Sequence, residues 1–156
     1  MKNVLILCTG NSARSLIGEV VVRERGKERF NGFSAGSKPT GKPNPGAIQA
    51  LANAGYGTAG LRSKTWDEFA LPSAPAMDIV ITVCDSAASE ECPYWPGAPV
   101  RAHWGLPDPA AVENAEEARL AFAATVRAIE ARVDALLALS DDELTSANLN
   151  QIGAMK

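Results

Sequence analysis

The segment from Cys8 to Ser15, with the sequence CTGNSARS, carries the residue types in this chain that are best suited to chemistry. It places Cys8 and Arg14 six positions apart, between the apolar run Val4 to Leu7 and a stretch with helical spacing. A loop of this length can turn its backbone N–H groups toward a tetrahedral oxyanion, and the following helix adds the positive end of its dipole. Arg14 can offer two parallel donors to such an anion. The residues expected to hold the oxyanion are Thr9, Gly10, Asn11, Ser12, Ala13, Arg14 and Ser15.

Cys8 is the candidate nucleophile of this loop. A cysteine beside a cation and a helix N-terminus has its pKa lowered from about 8.5 to about 3.5–7.5, which predicts a thiolate at neutral pH. Ser12 and Ser15 are expected to donate hydroxyl hydrogen bonds to the sulfur, and Asn11 to brace the loop, because asparagine tolerates left-handed backbone. Taken singly, Cys8 is a buried small residue and Arg14 a solvent-facing helix residue. Their combination in this order favours an anion site.

Short apolar strands alternate with helical patterns along the chain. The predicted strands are Val4 to Leu7, Phe30 to Ala35, Met77 to Val83 and Val100 to His103. The predicted helices run from Ala13 to about Arg29, from Pro45 to Ala54, from Trp66 to Ala70, from about Asn114 to Leu139, and over a short segment that a capping box at Ser140 and Glu143 opens. This order predicts a doubly wound, three-layer α/β/α domain with a four-stranded parallel sheet over residues 1–139, followed by a short C-terminal helix and tail over residues 140–156. Ligands of such sheets bind beyond the carboxyl ends of the strands, where Cys8 and Cys84 are expected.

The composition narrows the class of protein. The chain has 156 residues, of which 46% are apolar, so it is expected to form one domain with its own core, as a monomer. A net charge of −3 argues against intrinsic disorder and against nucleic acid as a partner. The run from Val4 to Cys8 is too short for a secretion signal or a membrane helix. Three cysteines cannot form a closed disulfide framework, so we expect free thiols and a cytoplasmic protein.

The pattern Cys8-x5-Arg14-Ser15 after an N-terminal strand resembles the signature of the low-molecular-weight protein tyrosine phosphatase fold. The string from Leu7 to Ser15 is similar to the arsenate reductase branch of that family. Three further blocks agree with that branch: Phe33-Ser34-Ala35-Gly36, Ile81-Thr82-Val83-Cys84-Asp85 and His103-Trp104-Gly105-Leu106-Pro107-Asp108-Pro109. The resemblance spans about residues 1–139.

This resemblance implies reduction of arsenate to arsenite. In the resembling reductases Cys8 attacks arsenate and forms a covalent adduct, Cys84 attacks Cys8 and expels arsenite, and Cys92 attacks Cys84 and carries the disulfide to the surface. Asp108 then corresponds to the general acid, although Asp108 before Pro109 is by itself also a good N-cap. No bound cofactor is expected, and an external thiol reductant is required: thioredoxin, or a glutaredoxin or glutathione system. Phosphate and sulfate are the expected competing anions.

Some members of the family bind a potassium ion near the loop through Asn, Glu, Ser and Asp side chains. Asn11, Glu19 and Ser34 match three of these positions, while Lys64 occupies the place of the aspartate. A lysine ammonium can replace the ion electrostatically, so no metal requirement is expected. His103 has no Cys or His neighbour at zinc-ligand spacing and is expected to make a structural hydrogen bond below the Asp108 loop.

Two other functions stay open from the sequence. The first is a phosphatase of the same fold that hydrolyses aryl or tyrosine phosphates through a Cys8 phospho-enzyme, with Cys84 and Cys92 as ordinary free cysteines. Ala110 and Ala111 stand where such phosphatases have aromatic residues, which favours a small inorganic anion over a tyrosine substrate. The second is a module that binds oxyanions or senses redox state without catalysis.

Overall fold

The computed structural model describes residues 1–84 and 99–155. These residues form a four-stranded sheet with the order β2-β1-β3-β4, in which all neighbouring strands are parallel. The strands are β1 (Lys2–Cys8), β2 (Phe30–Gly36), β3 (Ile79–Thr82) and β4 (Val100–His103). The helices are α1 (Arg14–Arg25), α2 (Pro45–Asn53), α3 (Ala115–Leu137) and α4 (Ser146–Gly153). The predicted parallel α/β fold is confirmed, and none of the helices in the described ranges is long and apolar enough to cross a membrane.

Strand β1 is apolar from Val4 to Cys8 because both faces of this part of the strand are buried. Val4, Ile6 and Cys8 face the larger core, which also contains the buried residues of α1, α2 and α3. Leu5 and Leu7 face a smaller cluster that the 3₁₀ turn Trp66–Ala70 covers through Phe69. The alternation of side chains along the strand therefore puts the Cys8 sulfur on the face of the sheet where α1 begins.

Local signals explain most element boundaries. The Asn44 side chain accepts a hydrogen bond from the Gly46 N–H at 2.8 Å and so caps α2 as expected. Helix α1 ends at Arg25, four residues before the predicted end. The carbonyl of Gly26 there accepts the N–H groups of Arg29 and Phe30, which turns the chain into β2.

The segment before Phe69 also differs from its prediction. Thr65 accepts a hydrogen bond from Asp67 at 3.3 Å, whereas Glu68, the expected partner in a capping box, binds Arg62 instead. The result is the 3₁₀ turn Trp66–Ala70 rather than an α-helix.

The C-terminal helix α4 covers the free edge of β4. The Ser146 hydroxyl donates to the Arg101 carbonyl, and the Asn150 side chain accepts the His103 N–H at 2.9 Å. These two main-chain groups belong to an edge strand, which would otherwise present unpaired donors and acceptors to a second chain. Helix α4 therefore supplies side-chain partners to the edge of the sheet in place of a fifth strand.

Two further contacts lock α4 to the core. The buried Trp104 indole donates to the Leu149 carbonyl at 2.9 Å, and the buried Arg132 guanidinium donates to the Met155 carbonyl at 2.8 Å. Gly153 lies directly against the strand end, where an added Cβ would be 2.2 Å from the His103 carbonyl oxygen. Glycine at this position lets the helix backbone touch β4.

Replacing Gly153 with Ala is therefore expected to destabilise the protein. Alanine gains up to about 1 kcal/mol in helix propensity, but overpacking against a backbone carbonyl costs about 1–3 kcal/mol, and this cost wins because the carbonyl cannot rotate away. The midpoint of thermal unfolding should fall, by about 2–4 °C for each kcal/mol lost. Gly57→Ala is the matched control, since its added Cβ meets no atom within 4 Å. Equal melting temperatures for the two variants would contradict the packing of α4 on β4.

Candidate active site

The loop between β1 and α1 is held by its carbonyl groups. Lys38 N–H donates to the Thr9 carbonyl at 3.0 Å, Thr40 N–H donates to the Gly10 carbonyl at 3.0 Å, and further bonds from residues 44 and 63 reach the carbonyls of residues 12 and 10. Because these carbonyls point away from the loop centre, the opposite sides of the same peptides face inward. The loop therefore presents N–H groups to its centre, as an oxyanion cradle requires.

Helix α1 begins at this loop without a side-chain cap. Ala13 occupies the N-cap position and makes no side-chain hydrogen bond, and the first turn contains no acidic residue. The N–H groups of the first turn, which a side chain usually satisfies, are thus available to an anion. Asn11 has φ 45°, the left-handed conformation expected for it, and is fully buried.

Gly36 at the end of β2 allows the loop to lie directly on the sheet. An added Cβ at this residue would be 2.4 Å from the Thr9 carbonyl oxygen and 2.8 Å from the Cys8 carbonyl oxygen. Its N–H also donates to the Lys64 carbonyl at 3.0 Å. The close contact fixes the loop relative to the strand end that carries Cys8.

Arg14 is anchored so that one side of its guanidinium remains available. Its Nη1 donates to the Leu106 carbonyl at 2.8 Å, and its Nη2 lies 3.8 Å from an Asp108 carboxylate oxygen. Its Nε is buried and has no hydrogen-bond partner among the described residues. A buried N–H donor without an acceptor is costly, so the Nε and Nη2 edge fits two oxygens of a bound anion.

Asp108 lies opposite Arg14 and is about half exposed. One of its carboxylate oxygens accepts the Ala110 N–H at 2.9 Å, so it is the N-cap of the 3₁₀ turn Pro109–Ala111, and the other approaches Arg14. Asp108 therefore caps the 3₁₀ turn and at the same time lies beside Arg14. Ala110 and Ala111 are exposed and form no wall at this position.

Cys8 and Cys84 lie next to each other. In the parallel register Leu7 is opposite Thr82, and the Val83 N–H donates to the Leu7 carbonyl at 2.9 Å, so the two cysteines follow at adjacent strand ends. The two thiols are close enough to affect each other's ionisation, and both are buried, with 5% and 4% exposure. The predicted proximity of the two cysteines is therefore present in the structure.

The same contact changes the expected acidity of Cys8. The hydrogen bond with Cys84, burial and the charge of an ionised Cys84 raise the pKa of Cys8 more than Arg14 and the Asn11 N–H lower it. The prediction of a lowered pKa is wrong for this arrangement, because it considered the loop and Arg14 without the second thiol. The two sulfurs titrate as a coupled pair, in which the thiolate of one accepts the proton of the other.

Lys64 occupies the centre of a group of oxygen atoms behind the loop. Its Nζ lies 3.4 Å from Asn11 Oδ1, 3.3 Å from Ser34 Oγ and 3.4 Å from Glu19 Oε1, and it donates to the Arg62 carbonyl at 2.9 Å. Burial lowers the pKa of Lys64, while Glu19 opposes that change. The ammonium thus contacts the three side chains that the resemblance assigned to a potassium site.

The backbone of Lys64 also supports the loop. Its N–H donates to Asn11 Oδ1 at 2.9 Å, and Asn11 Nδ2 in turn donates to Ser15 Oγ at 2.8 Å. Asn11 therefore links Lys64 to the first turn of α1. These two hydrogen bonds hold Asn11 in its left-handed conformation. The sequence identified Asn11 and Lys64 as neighbours only through the family resemblance.

Other predicted site residues have different outcomes. Cys92 lies outside the described residues, so its proposed part stays a prediction. His103 Nδ1 lies 2.7 Å from Thr82 Oγ1, the kind of structural contact expected of it. Sequence reasoning missed two contacts: the Leu106 carbonyl that anchors Arg14, and Thr9 Oγ1, which lies 3.5 Å from Cys84 Sγ.

Comparisons with known proteins agree with the geometry. Residues 3–149 match the family described as low molecular weight phosphotyrosine protein phosphatase. An arsenate reductase of Bacillus licheniformis is 39% identical over 126 residues, which cover 81% of this chain and 87% of that protein. A crystal structure of arsenate reductase from Archaeoglobus fulgidus superposes with a TM-score of 0.67 at 25% identity, covering 87% of this chain and 99% of the other. The thioredoxin-dependent arsenate reductase of Corynebacterium glutamicum shares the fold, with a TM-score of 0.63 at 23% identity over 88% of this chain and 60% of that one.

Removing the Cys84 thiol is expected to lower the pKa of Cys8. In Cys84→Ala the hydrogen bond that contributes most to the raised pKa is lost, whereas Arg14 and the Asn11 N–H remain. The pH dependence of alkylation of Cys8, followed by peptide mass spectrometry, measures this pKa. The parent and the Cys84→Ala protein both also carry Cys92→Ser, so that alkylation of the third cysteine does not contribute to the measurement. A pKa of Cys8 that stays the same or rises in Cys84→Ala would contradict the contact.

Removing the Lys64 ammonium is expected to destabilise the loop. Lys64→Ala leaves the largely buried Glu19 with Arg23, 3.7 Å away, as an ion-pair partner, so the loss should not exceed the cost of about 3–5 kcal/mol for a fully broken buried pair. Adding Glu19→Gln should recover part of the loss, because the incompletely compensated charge is then gone. Chemical unfolding of both variants checks this.

A second measurement tests whether Lys64 replaces a cation. Potassium chloride should stabilise Lys64→Ala more than tetramethylammonium chloride does at the same ionic strength, because only the smaller cation fits between the oxygens. The parent protein is the control and should respond equally to both salts. Equal responses of Lys64→Ala to the two salts would show that the oxygen group does not bind a cation.

Proposed function

Since the chain belongs to the low molecular weight phosphotyrosine protein phosphatase family, we propose that within this family it acts as an arsenate reductase, converting arsenate to arsenite. The observation that carries the proposal is the second thiol: the buried Cys84 lies beside Cys8 at the edge of an anion cradle. Hydrolysis of a phosphate ester needs one nucleophilic sulfur. Reduction needs two sulfurs that can join in a disulfide, since two electrons must leave as thiols become oxidised. We place the reaction in the cytoplasm, where free thiols stay reduced.

The first step is attack of the Cys8 thiolate on arsenic. An S–As bond forms and one As–O bond breaks, and the departing oxygen leaves as water after accepting a proton. Cys8 is the nucleophile in the form of the coupled pair in which its proton has moved to Cys84. Arsenic remains pentavalent in this adduct.

Arg14 and Asp108 serve this step from neighbouring positions at the anion. The Nε and Nη2 edge of Arg14 binds two oxygens, and the loop N–H groups bind the others. Asp108, whose carboxyl group lies 3.8 Å from Arg14, acts as the general acid and in its protonated form delivers the proton to the departing oxygen.

The second step is attack of Cys84 on the sulfur of Cys8. The S–S bond forms, the S–As bond breaks, and its electron pair stays on arsenic, which leaves as trivalent arsenite. Cys92 then attacks Cys84, which frees Cys8 and yields a Cys84–Cys92 disulfide. An external dithiol reduces this disulfide, and we propose thioredoxin, which the name of the Corynebacterium glutamicum relative gives as its electron donor. Phosphate and sulfate compete with arsenate because they are tetrahedral oxyanions as well.

The second candidate is a phosphatase for aryl phosphates, which the description of the family favours. One feature of the site speaks against a tyrosine substrate. Ala110 and Ala111 are exposed and offer no aromatic surface to a phenyl ring. A phosphatase that depends on Cys8 alone also has no role for a second thiol beside it.

Arsenate should leave a disulfide between Cys8 and Cys84 in reduced Cys92→Ser protein, because this variant forms the first disulfide and cannot pass it on. Peptide mapping by mass spectrometry without added reductant identifies the linked cysteines. Phosphate in place of arsenate is the control, since it binds the same cradle but cannot accept the electrons. The disulfide should form only with arsenate and at one equivalent per chain.

Two results would overturn the proposal. One is the absence of the Cys8–Cys84 disulfide after exposure to arsenate. The other is turnover of an aryl phosphate that is as fast in Cys84→Ser and Cys92→Ser as in the parent, together with no reduction of arsenate when thioredoxin and its reductase are supplied. That second pattern would identify a phosphatase.

A further inference from the structure

In the reduced protein Cys8 and Cys84 form a ready-made pair of sulfur ligands. The β1 and β3 backbones fix their separation through the Val83 N–H bond to the Leu7 carbonyl at 2.9 Å. The two thiols are buried in the same core cluster, and Thr9 Oγ1 contacts Cys84 Sγ at 3.5 Å. Two ligands that are already held side by side bind a common atom with little additional ordering cost.

The chemistry of this pair matches a small, soft, trivalent centre. Thiol sulfur is a soft ligand that prefers thiophilic elements over hard cations. Arsenous acid is neutral and exchanges its hydroxyl groups for thiols: two As–S bonds form, two As–O bonds break, and each thiol proton leaves with a hydroxyl group as water. Arsenic stays trivalent, so the exchange needs no oxidant or reductant.

We propose that the reduced Cys8 and Cys84 thiols capture trivalent arsenic, as arsenous acid or an organic arsenoxide, in a chelate with two As–S bonds. The capture depends only on the pair of thiols. Its consequence for turnover rests on the proposed function: the product of the reaction then binds the regenerated enzyme and inhibits the next cycle.

Capture differs from anion binding in the residues that it needs. The Arg14 guanidinium and the first turn of α1 attract a charged oxyanion, whereas arsenous acid carries no charge to attract. Loss of the Arg14 charge should therefore weaken binding of arsenate and leave capture intact. Loss of either sulfur should leave only a single As–S bond, which free monothiols in the solution can displace.

Phenylarsine oxide is the probe, because its arsenic has two positions that exchange for thiols. The fully reduced protein is mixed with one equivalent of the probe in excess glutathione, and the adduct is measured by intact-protein mass spectrometry. The parent, Cys92→Ser and Arg14→Gln should retain the adduct until a small dithiol removes it. In the Cys92→Ser background, where no third thiol can complete a chelate, Cys84→Ser and Cys8→Ser should hold the probe more weakly by about 10² or more, since the second bond of a chelate forms at a high effective concentration.

Three outcomes would overturn the proposal: retention in Cys84→Ser, in the Cys92→Ser background, at the level of the parent, loss in Cys92→Ser alone, or loss in Arg14→Gln. Circular dichroism of each variant ensures that the fold is retained, and Cys8→Ser repeats the test from the other sulfur. Arsenate turnover is measured in parallel on the parent. Capture without turnover would overturn the proposed function and leave this inference standing, whereas turnover without capture would overturn this inference alone.

Discussion

The parallel register of β1 and β3 is the constraint on which the rest of the site depends. Leu7 is opposite Thr82, and the ladder continues through the Val83 N–H bond to the Leu7 carbonyl, so both strands end in step. Cys8 ends β1, and Cys84 follows two residues after the end of β3. A slip of one residue would move one sulfur by about 3.3 Å along the strand direction and separate the pair. The proposed two-electron chemistry therefore depends on a backbone register, and neither sulfur alone could provide it.

The electrostatic part of the site is distributed over two cations with different roles. Arg14 lies at the anion and is held by the Leu106 carbonyl, while Lys64 lies behind the loop and is held by Asn11, Ser34 and Glu19. Between the two cations, the hydrogen-bond donors are main-chain N–H groups. The carbonyl groups of the same peptides accept hydrogen bonds on the outside of the loop. All of these groups are oriented before an anion arrives. Little reorganisation is then needed to stabilise charge that develops on the oxyanion.

The sequence predicts the architecture and the cradle because their signals are local. The continuous apolar run in β1 indicates a strand buried on both faces, and Asn44 before Pro45 indicates a helix start. The anchoring of Arg14 by the Leu106 carbonyl has no such signal, because every residue carries a carbonyl and 92 positions separate the two. The acidity of Cys8 was predicted with the wrong sign for the same reason. Its main cause is Cys84, which comes close only through the strand pairing.

The contact between the two thiols also sets the order of events in the proposed reaction. Cys8 attacks first, in the form of the coupled pair in which its proton has moved to the Cys84 sulfur. Once the Cys8 sulfur is bonded to arsenic it is no longer an anion, so it holds the Cys84 proton less strongly. Cys84 then loses its proton more easily and becomes the nucleophile, with the Thr9 hydroxyl 3.5 Å from its sulfur as a hydrogen-bond partner. Because the resting contact raises the pKa of Cys8, the Cys84 sulfur takes up the Cys8 proton in the first step and releases it before the second.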